Sequence, residues 1–287
     1  MNHLKLEKRK ESIGKLRSIV SALRSMAALR VQQTLNPLKG MREYRDSTLA
    51  SIARFRSLAE IPISASREKN RNLLIIFCSE YGFVGGFNRG ILEEASKIDR
   101  ADFEIGLVGT RGITLAEELN IKPDWVLKMS SDHNSVQHTA RDISSYIFEA
   151  VNDGISSIKL LYTEKKGAIE TAIKLRQLFP VETTKSDQDK TPQDVPLLNM
   201  PPKDILGYLI EEYIMASIGC TVMESLHAEN IVRMNSMDYV YHNISKKYDH
   251  LSLLSHQKYQ EEITTELFDI ITGFKAQKEN KLNSASE

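Results

Sequence analysis

Between Pro202 and Gly273 the chain has no further proline and only Gly207 and Gly219 as interior glycines. Across that span Leu206, Leu209, Tyr213 and Ser217, then Met234, Met237, Tyr241, Ile244, Tyr248, Leu251 and Leu254, recur at helical spacing, and Ile263, Leu267, Ile270 and Phe274 carry the stripe onward. The spacing predicts one helix, or two in series, over 204–278, with a solvated tail over 279–287. A helix of that length exceeds anything a compact domain encloses, so it needs a partner.

The other end of the chain offers one. Ile13, Leu16, Val20, Leu23 and Ala27 follow a 3-4-3-4 spacing, the seam that one helix presents to another, and Val31, Leu35, Leu38, Met41, Leu49, Ile52 and Phe55 continue it. The helix is expected over 1–60, interrupted or kinked near Pro37 and Gly40 and ended by Ile61 and Pro62. Fifty helical residues would extend about 75 Å. Residues 1–58 carry 13 basic and 4 acidic side chains, whereas 204–279 carry 6 basic and 12 acidic. Two long helices of opposite charge most simply pair as an antiparallel coiled coil, although both could instead lie over the middle of the chain as ordinary amphipathic helices. The seam reading predicts that Leu16→Asp or Leu254→Asp loosens the pair.

The middle changes period. Asn72 to Cys78 is a short continuous apolar run, as expected of a strand buried on both faces, and Phe103 to Val108 and Ser157 to Tyr162 resemble it. Helical patterns separate them at Gly90 to Ser96, Ile113 to Leu119, Val136 to Asn152 and Ala168 to Leu178. The fold class is therefore α/β: a small, Rossmann-like, mostly parallel sheet domain over 70–185, flanked by the two long helices and joined to the second by a polar linker over 186–203.

Candidate chemistry is sparse. Gly82, Gly85, Gly86 and Gly90 follow the first strand and open a helix, where a phosphate-cradling loop would sit, but their spacing matches neither the dinucleotide fingerprint nor a P-loop, so a tight structural turn is the simpler reading. The seven histidines form no metal-spaced cluster, and no nucleophile elbow is present. Cys78 and Cys220 are too few and too far apart for a disulfide framework. The basic N-terminal segment lacks interleaved aromatics, which argues against nucleic acid. No apolar run approaches the ~18 residues needed to span a bilayer, so membrane contact is expected to be peripheral. Neither a cofactor, a metal nor a catalytic residue is assigned.

Three stretches resemble one family. Ile19-Val20-Ser21-Ala22-Leu23-Arg24-Ser25-Met26-Ala27-Ala28-Leu29-Arg30 is similar to an N-terminal pattern of the gamma subunit of the rotary F-type ATP synthase. Cys78-Ser79-Glu80-Tyr81-Gly82-Phe83-Val84-Gly85-Gly86-Phe87-Asn88, supported by Gly109-Thr110-Arg111-Gly112, resembles its glycine loop. The third runs from Glu224 and Glu229 through Arg233, Met234 and Met237 to Gln260, Ile263, Thr264, Glu266, Leu267, Ile270, Ile271 and Gly273. The chain departs from the pattern at Ser21, Glu80, Tyr81, Val84 and Tyr259, where the family has Lys, Asp, Arg, Cys and Arg.

The resemblance implies a divergent gamma subunit, and divergence of this kind suits an alternative F-type ATPase. It implies a non-catalytic rotor shaft that turns inside a head of alpha and beta subunits and binds the epsilon subunit and the membrane c-ring at its foot. Such a chain would lie peripherally at the cytoplasmic face of the inner membrane. Leu23, Met26, Arg30, Gln260, Thr264 and Glu266 are the implied subunit contacts, and Gly82, Gly85, Gly86 and Asn88 a structural loop. Two other readings stay open: a free-standing coiled-coil scaffold, and a nucleotide-binding α/β enzyme using the loop from Gly82 to Gly90.

Overall fold

A computed structural model describes residues 3–59, 71–98, 103–167, 170–181 and 198–283, with main chain alone at 57–59 and 276–283. The elements are α1 (His3–Ala59), β1 (Arg71–Phe77), α2 (Phe87–Ser96), β2 (Phe103–Val108), a 3-10 turn (Thr110–Gly112), α3 (Ile113–Glu118), β3 (Trp125–Leu127), α4 (Val136–Asn152), β4 (Ile155–Lys166), β5 (Glu170–Phe179) and α5 (Pro202–Asn283). They form two compact units: residues 1–24 with 237–287, and residues 25–236.

In the larger unit the strands lie in the order β3-β2-β1-β4-β5. The first four run parallel, and β5 returns antiparallel to β4. Leu73 to Phe77 are fully buried, as a central strand covered on both faces requires. One face packs Leu73, Ile75, Leu160 and Tyr162 against α4, the second half of α1 and the first part of α5, while the other packs Leu74, Ile76 and Leu161 against α2 and α3. The helix expected from Ala168 to Leu178 is instead β5, with Ala168 itself outside the described residues. Ala172, Leu175, Leu178 and Phe179 mimic a helical stripe because Lys174 and Arg176, on the same face as buried Leu178, break the alternation of this edge strand. The three-residue β3 is too short to leave a sequence signal.

The long helices hold two further differences. α1 runs through Pro37 and Gly40 without a break. α5 begins at Pro202 and continues to Asn283, so residues 279–283, expected in a solvated tail, are helical. The linker expected over 186–203 falls outside the described residues up to 197, as do Ile61 and Pro62. Within α5, Ser217 to Ile231 are buried on every side. That explains why α5, contrary to the sequence expectation, holds an 18-residue window apolar enough for a bilayer: 56% of it lies inside the protein, as befits a core helix.

In the smaller unit α1 and α5 pair antiparallel. The His3 amide donates to Glu262, Ser255 donates to Glu7, and Arg24 donates to Asp238 at 2.8 Å. The face of α1 turned inward is Leu6, Lys10, Ile13, Arg17, Val20 and Arg24, a strict 4-3 repeat. Leu16, 52% exposed, is therefore not in the seam, while Leu23 is half-buried beside Arg24. Arg17 and Arg24 occupy the seam positions, each with its guanidinium over a tyrosine of α5, at 4.3 Å from the Tyr248 ring and 4.9 Å from the Tyr241 ring. An apolar-stripe reading misses such rungs because the arginine stem packs while its head stays wet.

Leu16→Asp should accordingly change stability by no more than about 0.5 kcal/mol, whereas Leu251→Asp, at a position 8% exposed, should cost about 2–4 kcal/mol. Thermal melting followed by helical circular dichroism distinguishes the two, and equal losses would contradict this seam.

Candidate functional site

The glycine loop after β1 closes inward rather than opening to a ligand. The Ser79 amide donates to Asn88 Oδ1 at 2.9 Å, Asn88 Nδ2 donates to Ser79 Oγ at 2.8 Å, and Ser79 Oγ donates to the Tyr81 carbonyl. The Phe87 and Gly90 amides bond to the Val84 and Gly86 carbonyls, so these three N–H groups are already satisfied within the loop and α2. Glu80 accepts from the Thr110 and Met129 amides and from the Thr110 hydroxyl, joining the ends of three parallel strands.

What meets this loop is α5. Arg233 donates from Nε to the Gly82 carbonyl and from Nη2 to the Tyr81 carbonyl, both at 3.3 Å, while holding Asn230 at 3.2 Å and Glu229 at 2.5 Å. Gly85 has φ +52, and a Cβ there would lie 2.7 Å from Ser236 Oγ on α5. Gly109 has φ +103, and its Cβ would lie 2.2 Å from the Cys78 carbonyl oxygen. A Cβ at Gly82 or Gly86 would meet nothing within 4 Å. Val84 and Phe87 complete the junction against Ala228 and Val232. The loop is thus a clamp on the buried part of α5.

Burial sets the charge states along that helix. It pushes the Glu229 carboxyl up to about 7, opposed by Arg233 and Arg30 and helped by Glu80. It pushes the Cys78 thiol up to about 12, leaving no reactive thiolate. Burial together with the charges of Lys165 and Arg42 lowers the His227 imidazole to about 4. The ring Nδ1 shares a hydrogen bond with Thr34 Oγ1 at 2.7 Å, and the Thr34 hydroxyl also lies within reach of backbone carbonyls of α1.

The residues implied as subunit contacts do not form one site. Leu23 lies level with the Arg24–Asp238 contact, whereas Gln260 lies beside Glu262, which meets His3, so the two are about 30 Å apart along the helix axis. Met26 is 52% exposed. Arg30 is half-buried, its charge felt by Glu229. Gln260, Thr264 and Glu266 are exposed, and Thr264 Oγ1 donates back to the Gln260 carbonyl. Past Glu262, α5 runs about 30 Å further to Asn283, beyond the described start of α1. On that stretch Ile263, Leu267, Ile270 and Phe274 form an exposed 4-3-4 stripe, with Gln260 three residues before it and Thr264 and Glu266 at its flanks. The sequence singled out Glu229 and Arg233 by resemblance alone and did not show that Arg233 clamps the glycine loop.

The sequence matches the profile of the family described as ATP synthase over residues 2–277. The chain belongs to the gamma-subunit family of the F-type ATP synthase. It is 27% identical to the ATP synthase gamma chain of Lachnoclostridium phytofermentans, over 94% of this chain and 97% of that one. It is 25% identical to the gamma chain of Bdellovibrio bacteriovorus, over 93% and 96%. Among solved structures, one chain of the Euglena gracilis mitochondrial ATP synthase superposes with a TM-score of 0.67 at 12% identity, over 97% of this chain and 95% of that one. In a gamma subunit the clamp belongs to the central stalk, and its glycine loop is a device for holding a helix.

Two outcomes follow for the clamp. Arg233→Ala strands the buried Glu229 and frees two loop carbonyls, so it should cost about 3–5 kcal/mol in denaturant unfolding. Because the folded-state Glu229 value lies above the unfolded one of 4.5, protonation favours the fold, and its contribution is complete below pH 4.5 and lost as pH rises through about 7. Glu229→Gln should therefore flatten that decline, by about 1–3 kcal/mol between pH 5 and pH 8. His227 acts oppositely: its contribution is complete above 6.5 and lost as pH falls through about 4.

Proposed function

We propose that the unpaired end of α5 is the part of this central-stalk subunit that enters a head of alpha and beta subunits. The observation that carries this reading is the exposed stripe of Ile263, Leu267, Ile270 and Phe274 on the part of α5 past the described start of α1. Apolar side chains in such a row are costly in water and suit a surrounding protein surface. Gln260, Thr264 and Glu266 would make polar contacts around the stripe, with Leu23, Met26 and Arg30 contacting the same head lower on the shaft.

The chain makes and breaks no bond in this reading. A two-helix shaft is asymmetric, so each beta subunit meets a different face of it, and differential contact shifts nucleotide affinity from site to site. The α/β domain would bind the epsilon subunit and meet the c-ring, keeping the chain peripheral at the cytoplasmic face of the membrane. Tyr259, tilted against the His3 ring at 5.2 Å, stands where the family has arginine, so the polar catch there rests on Gln260.

The test is a tagged pull-down from gently solubilised membranes with an ATPase assay on the eluate. Co-purification of alpha and beta subunits with ATP hydrolysis is the expected result, and recovery of the chain alone would favour a free-standing scaffold. Leu267→Glu with Phe274→Glu should reduce ATP-driven ion pumping ~10-fold while leaving the melting of the isolated chain unchanged. Gln260→Ala with Glu266→Ala should lower pumping per ATP without loss of folding. Undiminished pumping in both would remove this surface from the head interface.

A further inference from the structure

The larger unit buries a second polar cluster, one turn and more from the clamp and unrelated to the glycine loop. Glu224 on α5 has a side chain 1% exposed. Its Oε1 accepts from Arg42 Nε at 2.7 Å and has Arg45 Nη1 at 4.0 Å, both from α1, while its Oε2 has Arg176 Nη2 of β5 at 4.0 Å. Arg176 lies over the ring of Tyr162, a fully buried residue of β4, at 5.3 Å. The Tyr162 hydroxyl, Arg176 Nη1 and Glu224 Oε2 are buried without a direct hydrogen-bond partner. Three arginines from two elements thus converge on one carboxylate from a third.

We propose that Glu224 is a positioning residue for rotary coupling, the joint through which β4 and β5 are fixed in register on α1 and α5. Much of the remaining contact between the sheet and these helices, built from Leu160, Ile218, Val222 and their neighbours, is apolar. Apolar contact resists separation, but it has no preferred direction and yields to sliding. The Arg42 hydrogen bond and the buried Arg176 ion pair, by contrast, oppose sliding, because moving either cation away leaves the Glu224 charge less compensated in the interior. A buried ion cluster adds little stability over an apolar core of the same volume, so stability is a poor account of four charged side chains meeting here. The inference rests on the stalk reading, in which load passes between the α/β domain and the helix pair.

The experiment uses the assembled enzyme carrying Arg176→Met, Glu224→Gln or both. Ions pumped per ATP hydrolysed is the main readout, with rotational compliance between a bead on the α/β domain and an immobilised head as the second. Arg176→Met keeps an apolar stem while removing the guanidinium that lies over Tyr162 and pairs with Glu224, so it decides the matter if Glu224→Gln fails to fold. Expected are complexes that hydrolyse ATP at near the original rate, a ~3-fold fall in ions pumped per ATP, a more compliant joint, and a double variant no worse than either single one. Unchanged pumping ratio and compliance in Arg176→Met would overturn the joint, as would losses that only track the amount of assembled complex. Failure of the unsubstituted chain to assemble with an active head would instead overturn the stalk reading itself.

Discussion

The structure depends on enclosing one stretch of helix on every side. Ser217 to Ile231 of α5 has no solvent face, yet it contains Glu224, His227, Glu229 and Asn230. A helix satisfies its own backbone, but each buried ionisable side chain must find a partner or change its charge state. Both solutions are used. Glu224 gathers arginines from α1 and β5, His227 stays neutral against Thr34, and Glu229 is held by Arg233, whose remaining donors take up the carbonyls of the glycine loop. The sheet, the loop and α1 are arranged around those requirements.

This view accounts for what the sequence disclosed and what it concealed. The two long helices and the parallel strands were legible because their periods are strong: continuous apolar runs at Leu73 to Phe77, and Met237, Tyr241, Ile244, Tyr248 and Leu251 along α5. The edge strand β5 was not, since Lys174 and Arg176 stand on the same face as buried Leu178 and break the alternation that a strand covered on one face would otherwise show. The α1 seam was misplaced by one residue because the pattern search accepts only apolar side chains, and Arg17 and Arg24 serve there through their stems and their tyrosine partners.

The candidate site was legible in part. Resemblance singled out the glycine loop and the C-terminal pattern, but spacing could not show that loop carbonyls face Arg233 across some 150 residues of sequence. Long-range polar pairing leaves no periodicity, and each partner looks like an ordinary surface charge until the fold brings them together. Pro37 gives a similar lesson: a proline that disfavours a helix by itself is tolerated where tertiary packing holds the turns on either side, here with Thr34 and Leu38 buried.

The bare end of α5 carries a consequence for the life of the chain before assembly. Leu267, Phe268, Ile270, Ile271 and Phe274 stand open to water together, each more than half exposed. A newly made copy without its neighbours therefore bears the kind of sticky surface that chaperones grip and proteases follow. Making this subunit in excess of the others would leave a surplus prone to clumping or clearance, so its supply is best matched to theirs at synthesis.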